Sequence, residues 1–187
     1  MRRSAYAGLF SYRKDIMTTH ILLDIDGVVN AIYPLPIHKE VSDLSGEWKE
    51  GYVDRYKFHW NQEVIDFLND LFIDNNLVIL STWRQWAIDK VFPLVGLEVP
   101  ESHIVLDPLT DPESAQDIDP TNWWKARFAR EFMEAHPGDK FIWIDDDLKY
   151  APQTSWFSDD TLTVSPASSV GISRDDMVRI NAFLASA

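Results

Sequence analysis

The chain contains no cysteine. Disulfides, zinc–thiolate sites and thiol catalysis are therefore excluded. Positive charge is also scarce, with 17 Lys and Arg against 30 Asp and Glu and a net charge of −13. A broad nucleic-acid surface needs clustered Lys and Arg, so none is expected. A small phosphorylated ligand is not excluded, because a bound Mg²⁺ inverts the local field. No apolar run reaches membrane-spanning length, so no membrane partner is expected and the location expected is cytoplasmic. The first residues lack the apolar centre of a secretory signal. Residues 1–17, with Arg2, Arg3, Arg13 and Lys14, read as a disordered basic arm. There is no internal repeat and no low-complexity tract. What remains is 187 residues, 45% hydrophobic and 25% charged, enough for one domain with a core over residues 18–187.

The most informative stretch is Asp24-Ile25-Asp26-Gly27, directly after the apolar run Ile21-Leu22-Leu23. Strand side chains alternate faces, so two carboxylates two residues apart point the same way. Two buried like charges are unfavourable unless a cation lies between them or one carries a proton. A second acidic cluster, Asp145-Asp146-Asp147, ends a second apolar run, Phe141-Ile142-Trp143-Ile144. Two strand ends carrying bare carboxylates point to a hard cation held by oxygen, with Mg²⁺ the expected cofactor.

Short apolar strand-like runs alternate with amphipathic helical stretches. The expected strands are His20–Ile25, Leu77–Leu80, His103–Leu106, Lys140–Ile144 and Thr161–Val164. Asn61 is expected to cap a helix whose apolar positions Val64, Ile65, Phe67, Leu68, Leu71 and Phe72 make one face. Thr121 or Asn122 starts another, with Trp124, Phe128 and Phe132 four residues apart, stopped by Pro137-Gly138. Trp83–Phe92 reads as a short helix ended near Pro93, and Ser173 caps the last helix. This alternation predicts an α/β fold. The expected form is a Rossmann-like three-layer sandwich with a central, mainly parallel five-stranded sheet. Ligands in such sheets bind at the carboxyl ends of the strands, where Asp24, Asp26, Ser81 and Asp145 would converge. Residues 31–60 form a small lid-like insert after strand 1, read as a hairpin with its turn near Gly51. Residues 107–120, rich in Asp and Pro, read as a solvated loop.

This pattern resembles the haloacid dehalogenase (HAD) superfamily of phosphatases and phosphotransferases. Asp24-Ile25-Asp26-Gly27 matches its first motif, Ser81 its second with Thr82 as a rival, Lys125 its third, and Asp145-Asp146 its fourth. The Trp-Arg after the second motif and the Trp-Ile-Asp-Asp-Asp run are similar to a small-cap group, which includes HAD domains of Swiss Army Knife RNA repair proteins. The resemblance implies a Mg²⁺-dependent phosphomonoester hydrolase. Asp24 would be the nucleophile, Asp26 the general acid and base, Ser81 a phosphoryl hydrogen-bond donor and Lys125 the charge-offsetting cation. The metal would be held by Asp24, the carbonyl of Asp26, Asp145 and Asp146, with Asp146-Asp147 as the alternative register. Gly27 would let the backbone approach the phosphate. Thr82 and Arg84 would be substrate contacts. Asn30 would be a substrate contact or a turn residue. Arg55, Lys57, His38 and His59 of the insert would, with Arg84, read a second anionic group. The implied substrate is a nucleotide or a nucleic-acid end. A phosphorylated small metabolite, or a non-catalytic member binding phosphate and Mg²⁺, is the alternative.

Overall fold

The computed structural model describes residues 17–106, 123–150 and 157–186. The basic arm, the 107–120 loop, the Thr121/Asn122 helix start and the His38 side chain lie outside the described residues. Five strands form one wholly parallel sheet: β1 (Thr19–Leu23), β4 (Asn76–Ile79), β5 (Ile104–Leu106), β6 (Lys140–Ile144) and β7 (Thr161–Val164), in the order β5-β4-β1-β6-β7. The strand bearing the first acidic motif is thus central, with β6, bearing the second, beside it.

Period-two alternation sorts the sheet into two cores. Ile21, Leu23, Leu77, Ile79, Ile142 and Ile144 face one side. There they pack with Val64, Ile65, Leu68 and Phe72 of α2 (Gln62–Asp74) and with Met177 and Ile180 of α5 (Arg174–Ala185). Leu22, Val78, Phe141 and Trp143 face the other, against Trp124, Phe128 and Ala129 of α4 (Trp124–Ala135). Both faces are covered by helices, as the alternation predicts.

The expected helix signals hold at residue level. The Asn61 side chain accepts from the Glu63 amide at 2.9 Å. Ser173 and Asp176 form a reciprocal capping box at the start of α5. Arg174 then reaches across to Glu63 of α2 at 2.6 Å, and also donates to Ser45. These contacts pin the first turns of α2 and α5 together.

Two local expectations are corrected. The insert is α1 (Pro36–Val41) followed by an antiparallel hairpin of β2 (Trp48–Val53) and β3 (Tyr56–Asn61). Its turn is at Asp54-Arg55, where Asp54 takes a φ of +54°, and not near Gly51. Gly51 lies inside β2 opposite Phe58, where a Cβ would run into Leu94. Close packing, not turning, accounts for that glycine. The hairpin is docked, since Val53, Phe58 and Trp60 are buried in the main core. The second correction concerns Pro93, which does not end its helix. A π-type turn over Ala87–Val91 runs into α3 (Phe92–Val95), with Pro93 in the first turn of α3, where a missing N–H is tolerated. Gly96, at φ +85°, closes it.

Candidate active site

Strand register builds the site. Leu23 pairs with Ile144 on one side and Ile79 on the other. One residue further on, the Asp24 amide donates to the Ile144 carbonyl at 3.0 Å, and the Asp145 amide to the Val164 carbonyl at 3.1 Å. The ladder therefore sets Asp24 and Asp145 side by side at the carboxyl edge. Asp146 joins them: one carboxylate oxygen from each of the three lies within 4.8 Å of the others. All three residues are buried. Asp147 is exposed, and its amide donates to Asp145 Oδ1 at 2.9 Å. The pair beside Asp24 is Asp145-Asp146.

Helix α4 carries Lys125 into this cluster. Its Nζ donates to Asp24 Oδ2 at 2.6 Å and to Asp145 Oδ2 at 2.7 Å. Burial by itself would depress the ammonium, but the charges of Asp24 and Asp145 outweigh it and hold Lys125 above the ordinary lysine value. Burial pushes Asp145 up to about 7, with Lys125 opposing and Asp24 adding to the rise. Asp146 is pushed up to about 6 by burial first, then by Asp147 and Asp24. Three clustered carboxylates facing one ammonium leave an excess of negative charge on hard oxygen atoms, a donor set that fits a divalent cation such as Mg²⁺.

Gly27 makes room for that set. Its φ is +74°, and a Cβ there would fall within the Asp146 carboxylate. A side chain at this position would both strain the turn and displace the third acid.

Asp26 is fixed differently. Its Oδ1 accepts from Asn30 Nδ2 at 2.8 Å and its Oδ2 from the Trp83 indole Nε1–H at 2.8 Å. Asn30 in turn accepts the His59 amide of β3 at 2.9 Å. Asn30 thus ties the motif loop to the hairpin. The Trp83 bond was not foreseen from the sequence, because an indole donor has no fixed spacing from its acceptor. Ser81 is buried, whereas the exposed Thr82 lines a cleft of about 480 Å³ with Asp24, Asp26, Lys125 and Asp146. Of the two motif-two hydroxyls, Thr82 faces the cleft. Arg84, at φ +47°, places its guanidinium 6.0 Å from the Trp124 ring centre. It borders a second groove together with Arg55, Lys57 and His59.

Residues 20–177 match the family model described as the HAD domain in Swiss Army Knife RNA repair proteins. The chain belongs to this HAD family. No curated protein and no solved structure matches it. Membership supports a hydrolase of the phosphatase type, and HAD domains typically use Mg²⁺. The buried Asp24–Asp145–Asp146 cluster is the place in this HAD domain where such an ion would fit. No helix among the described residues is long and apolar enough to cross a membrane.

Proposed function

We propose that the protein is a Mg²⁺-dependent phosphomonoester hydrolase that works through an aspartyl-phosphate on Asp24, with a nucleotide or nucleic-acid end as substrate. The observation that carries this reading is the Lys125 ammonium held at 2.6 and 2.7 Å between two buried carboxylates at the end of the central strand, beside an open cleft. That this family is a domain of RNA repair proteins supports the nucleic-acid side of the proposal.

An Asp24 oxygen attacks phosphorus in line, and the bond to the leaving oxygen breaks. Asp26 supplies the proton that oxygen needs. Water then attacks the phosphorus of the acyl phosphate, Asp26 takes up its proton, and inorganic phosphate leaves with the Asp24 carboxylate restored. Lys125 touches Asp24 throughout and offsets the charge that builds as the phosphoryl dianion approaches. Asn30 and Trp83 orient Asp26, and each of its oxygens keeps a second lone pair for the substrate side. Ser81, with Thr82 on the cleft wall as the alternative, would donate to a phosphoryl oxygen. Bound by Asp24, Asp145, Asp146 and the carbonyl of Asp26, Mg²⁺ would supply Lewis-acid charge to the phosphoryl group.

The test is phosphate release by wild type and Asp24→Asn with and without Mg²⁺. Wild-type turnover should require the ion, and the variant should lose activity by roughly a thousandfold or more. Acid-quenched wild type should retain radiolabel from a labelled phosphoester, and the variant should not. Equal turnover by both proteins would remove Asp24 from the mechanism.

A further inference from the structure

The cleft over Asp24 does not end the accessible surface. It shares Asp26, Ile32 and Thr82 with a second, larger groove of about 950 Å³, which runs between the hairpin and the turn after β4. A molecule whose phosphate meets Asp24 passes over Thr82 and Ile32 and leads its organic portion into that groove. The volume is at the upper end of the range of about 300–1,000 Å³ seen for ligand pockets, more than a phosphate on a small carbon skeleton fills.

The lining of this groove departs from the rest of the chain. Four aromatic side chains border it: Tyr33, Tyr56, Trp83 and Trp86. Three of them are largely open to solvent, with Tyr33 87%, Tyr56 46% and Trp86 52% exposed. Trp83 is anchored by its indole bond to Asp26 and by edge contacts with Phe58 and Tyr56 at 5.1 and 5.3 Å between ring centres. Three cations also border the groove: Arg55, Lys57 and Arg84. Among the described residues that line it, Asp26 is the single acid, in a protein whose net charge is −13. The cations have neighbours of their own. Lys57 pairs with Glu50 at 2.9 Å, Arg55 donates to the Tyr56 hydroxyl at 3.2 Å, and Arg84 lies over Trp124. Glu50 and Tyr56 are themselves exposed, and exposed pairs of this kind exchange readily with an incoming anion. A locally basic strip with open aromatic rings, on an otherwise acidic molecule, has the chemistry that recognises flat heteroaromatic rings joined by phosphates.

We infer that this groove is a base-stacking subsite for single-stranded nucleic acid, which seats the nucleotides next to the terminal phosphate presented to Asp24. The inference rests on the phosphatase reading for the direction of the strand, but the stacking itself does not depend on turnover. Trp86 and Tyr56 stack bases, while Arg55 and Lys57 meet the internucleotide phosphates. Three cations border this groove, so affinity gains from added nucleotides stop after a few residues. The acidity of the remaining surface disfavours long tracts.

The experiment compares a phosphate-ended single-stranded trinucleotide, the same molecule with abasic positions, ribose 5-phosphate and a phosphotyrosine peptide. Turnover is measured with Mg²⁺, and binding by quenching of tryptophan fluorescence. Wild type should favour the base-bearing trinucleotide over its abasic counterpart by about tenfold or more in kcat/KM and in affinity. Trp86→Ala and Tyr56→Ala change exposed side chains, and each should cut that preference by about fivefold or more. If Mg²⁺-dependent hydrolysis proceeds with no preference for bases, the groove assignment fails and the phosphatase reading stands. If nothing is hydrolysed but the base-bearing strand still binds, and loses affinity in Trp86→Ala, the phosphatase reading fails and the groove stands. A preference for ribose 5-phosphate or for the phosphopeptide overturns the assignment.

Discussion

Replacing Lys125 with methionine removes the ammonium that pairs with Asp24 and Asp145 while keeping a side chain of similar length. Stripping one partner from a buried ion pair strands the other charge and costs about 3–5 kcal/mol. Here two partners are stranded, Asp24 and Asp145, both in contact with the lysine. Protonation provides an escape, and it fixes the sign of the pH dependence. A carboxyl whose pKa is raised by folding takes up a proton as the chain folds, so the penalty on the folded state grows as pH rises through the raised value and shrinks below it. Asp145, pushed up to about 7 without metal, is already largely neutral at pH 5.5. Keeping one further carboxyl neutral costs about 1.4 kcal/mol per pH unit above an ordinary value near 3.9. That limits the loss to about 2 kcal/mol at pH 5.5, while the full 3–5 kcal/mol applies at pH 8. In a chain of this size each kcal/mol moves the melting temperature by roughly 2–4 °C. Lys125→Met should therefore melt about 4–8 °C below wild type at pH 5.5 and about 6–20 °C below it at pH 8, in chelator. Added Mg²⁺ should recover more of the loss at pH 8 than it adds to wild type, since it restores positive charge to the same oxygens. Scanning calorimetry at the two pH values checks this. An equal loss at both, unaffected by Mg²⁺, would refute the account of Lys125 as the counterion of the cluster.

Gly27→Ala should lower Mg²⁺ affinity by about tenfold or more and cost about 1–2 kcal/mol of stability, through its left-handed φ and the clash with Asp146; calorimetric titration showing unchanged affinity would contradict this. Mg²⁺ binding to wild type should weaken by about tenfold or more from pH 7.5 to 5.5, because protons compete for Asp145 and Asp146, which stand at about 7 and about 6 in the free protein. Glu63 is held down at about 2, by Arg174 first and then, against burial, by Ser45 and Gly46. Its stabilising contribution is full above pH 4.5 and is lost as pH falls toward 2. The gap in melting temperature between wild type and Glu63→Gln should therefore close over that range, and a constant gap would count against the pairing.

Particular residues show how much of this was legible in the sequence. Short continuous apolar runs identified the five strands of the main sheet, and because the sheet is parallel, their carboxyl ends gather Asp24 and Asp145. Asn61 and Ser173 announced their helices through side-chain chemistry that acts within three residues. Lys125 was a different case. A lysine on an amphipathic helix carries no local mark of burial, and only the resemblance singled it out before the structure placed it between two acids. Gly51 was misread because a glycine reports a missing Cβ without saying whether a turn or a neighbour requires it. The choice between Asp146 and Asp147 depended on how the chain leaves β6, which the acidic run does not encode. The Trp83–Asp26 bond joins segments 57 residues apart, and the groove depends on a hairpin tip meeting a turn some thirty residues away; no segment's composition shows these meetings.

The placement of β1 in the middle of the sheet has a consequence for endurance. Strands at the rim of a sheet open first in local fluctuations, while those paired on both sides exchange their amides only when the whole molecule opens. The Asp24 amide, bonded to Ile144 just past a doubly flanked strand, belongs to the second kind. Heating should thus leave Asp24, the proposed nucleophile, seated until the domain comes apart as a unit, so that inactivation and global melting follow one curve.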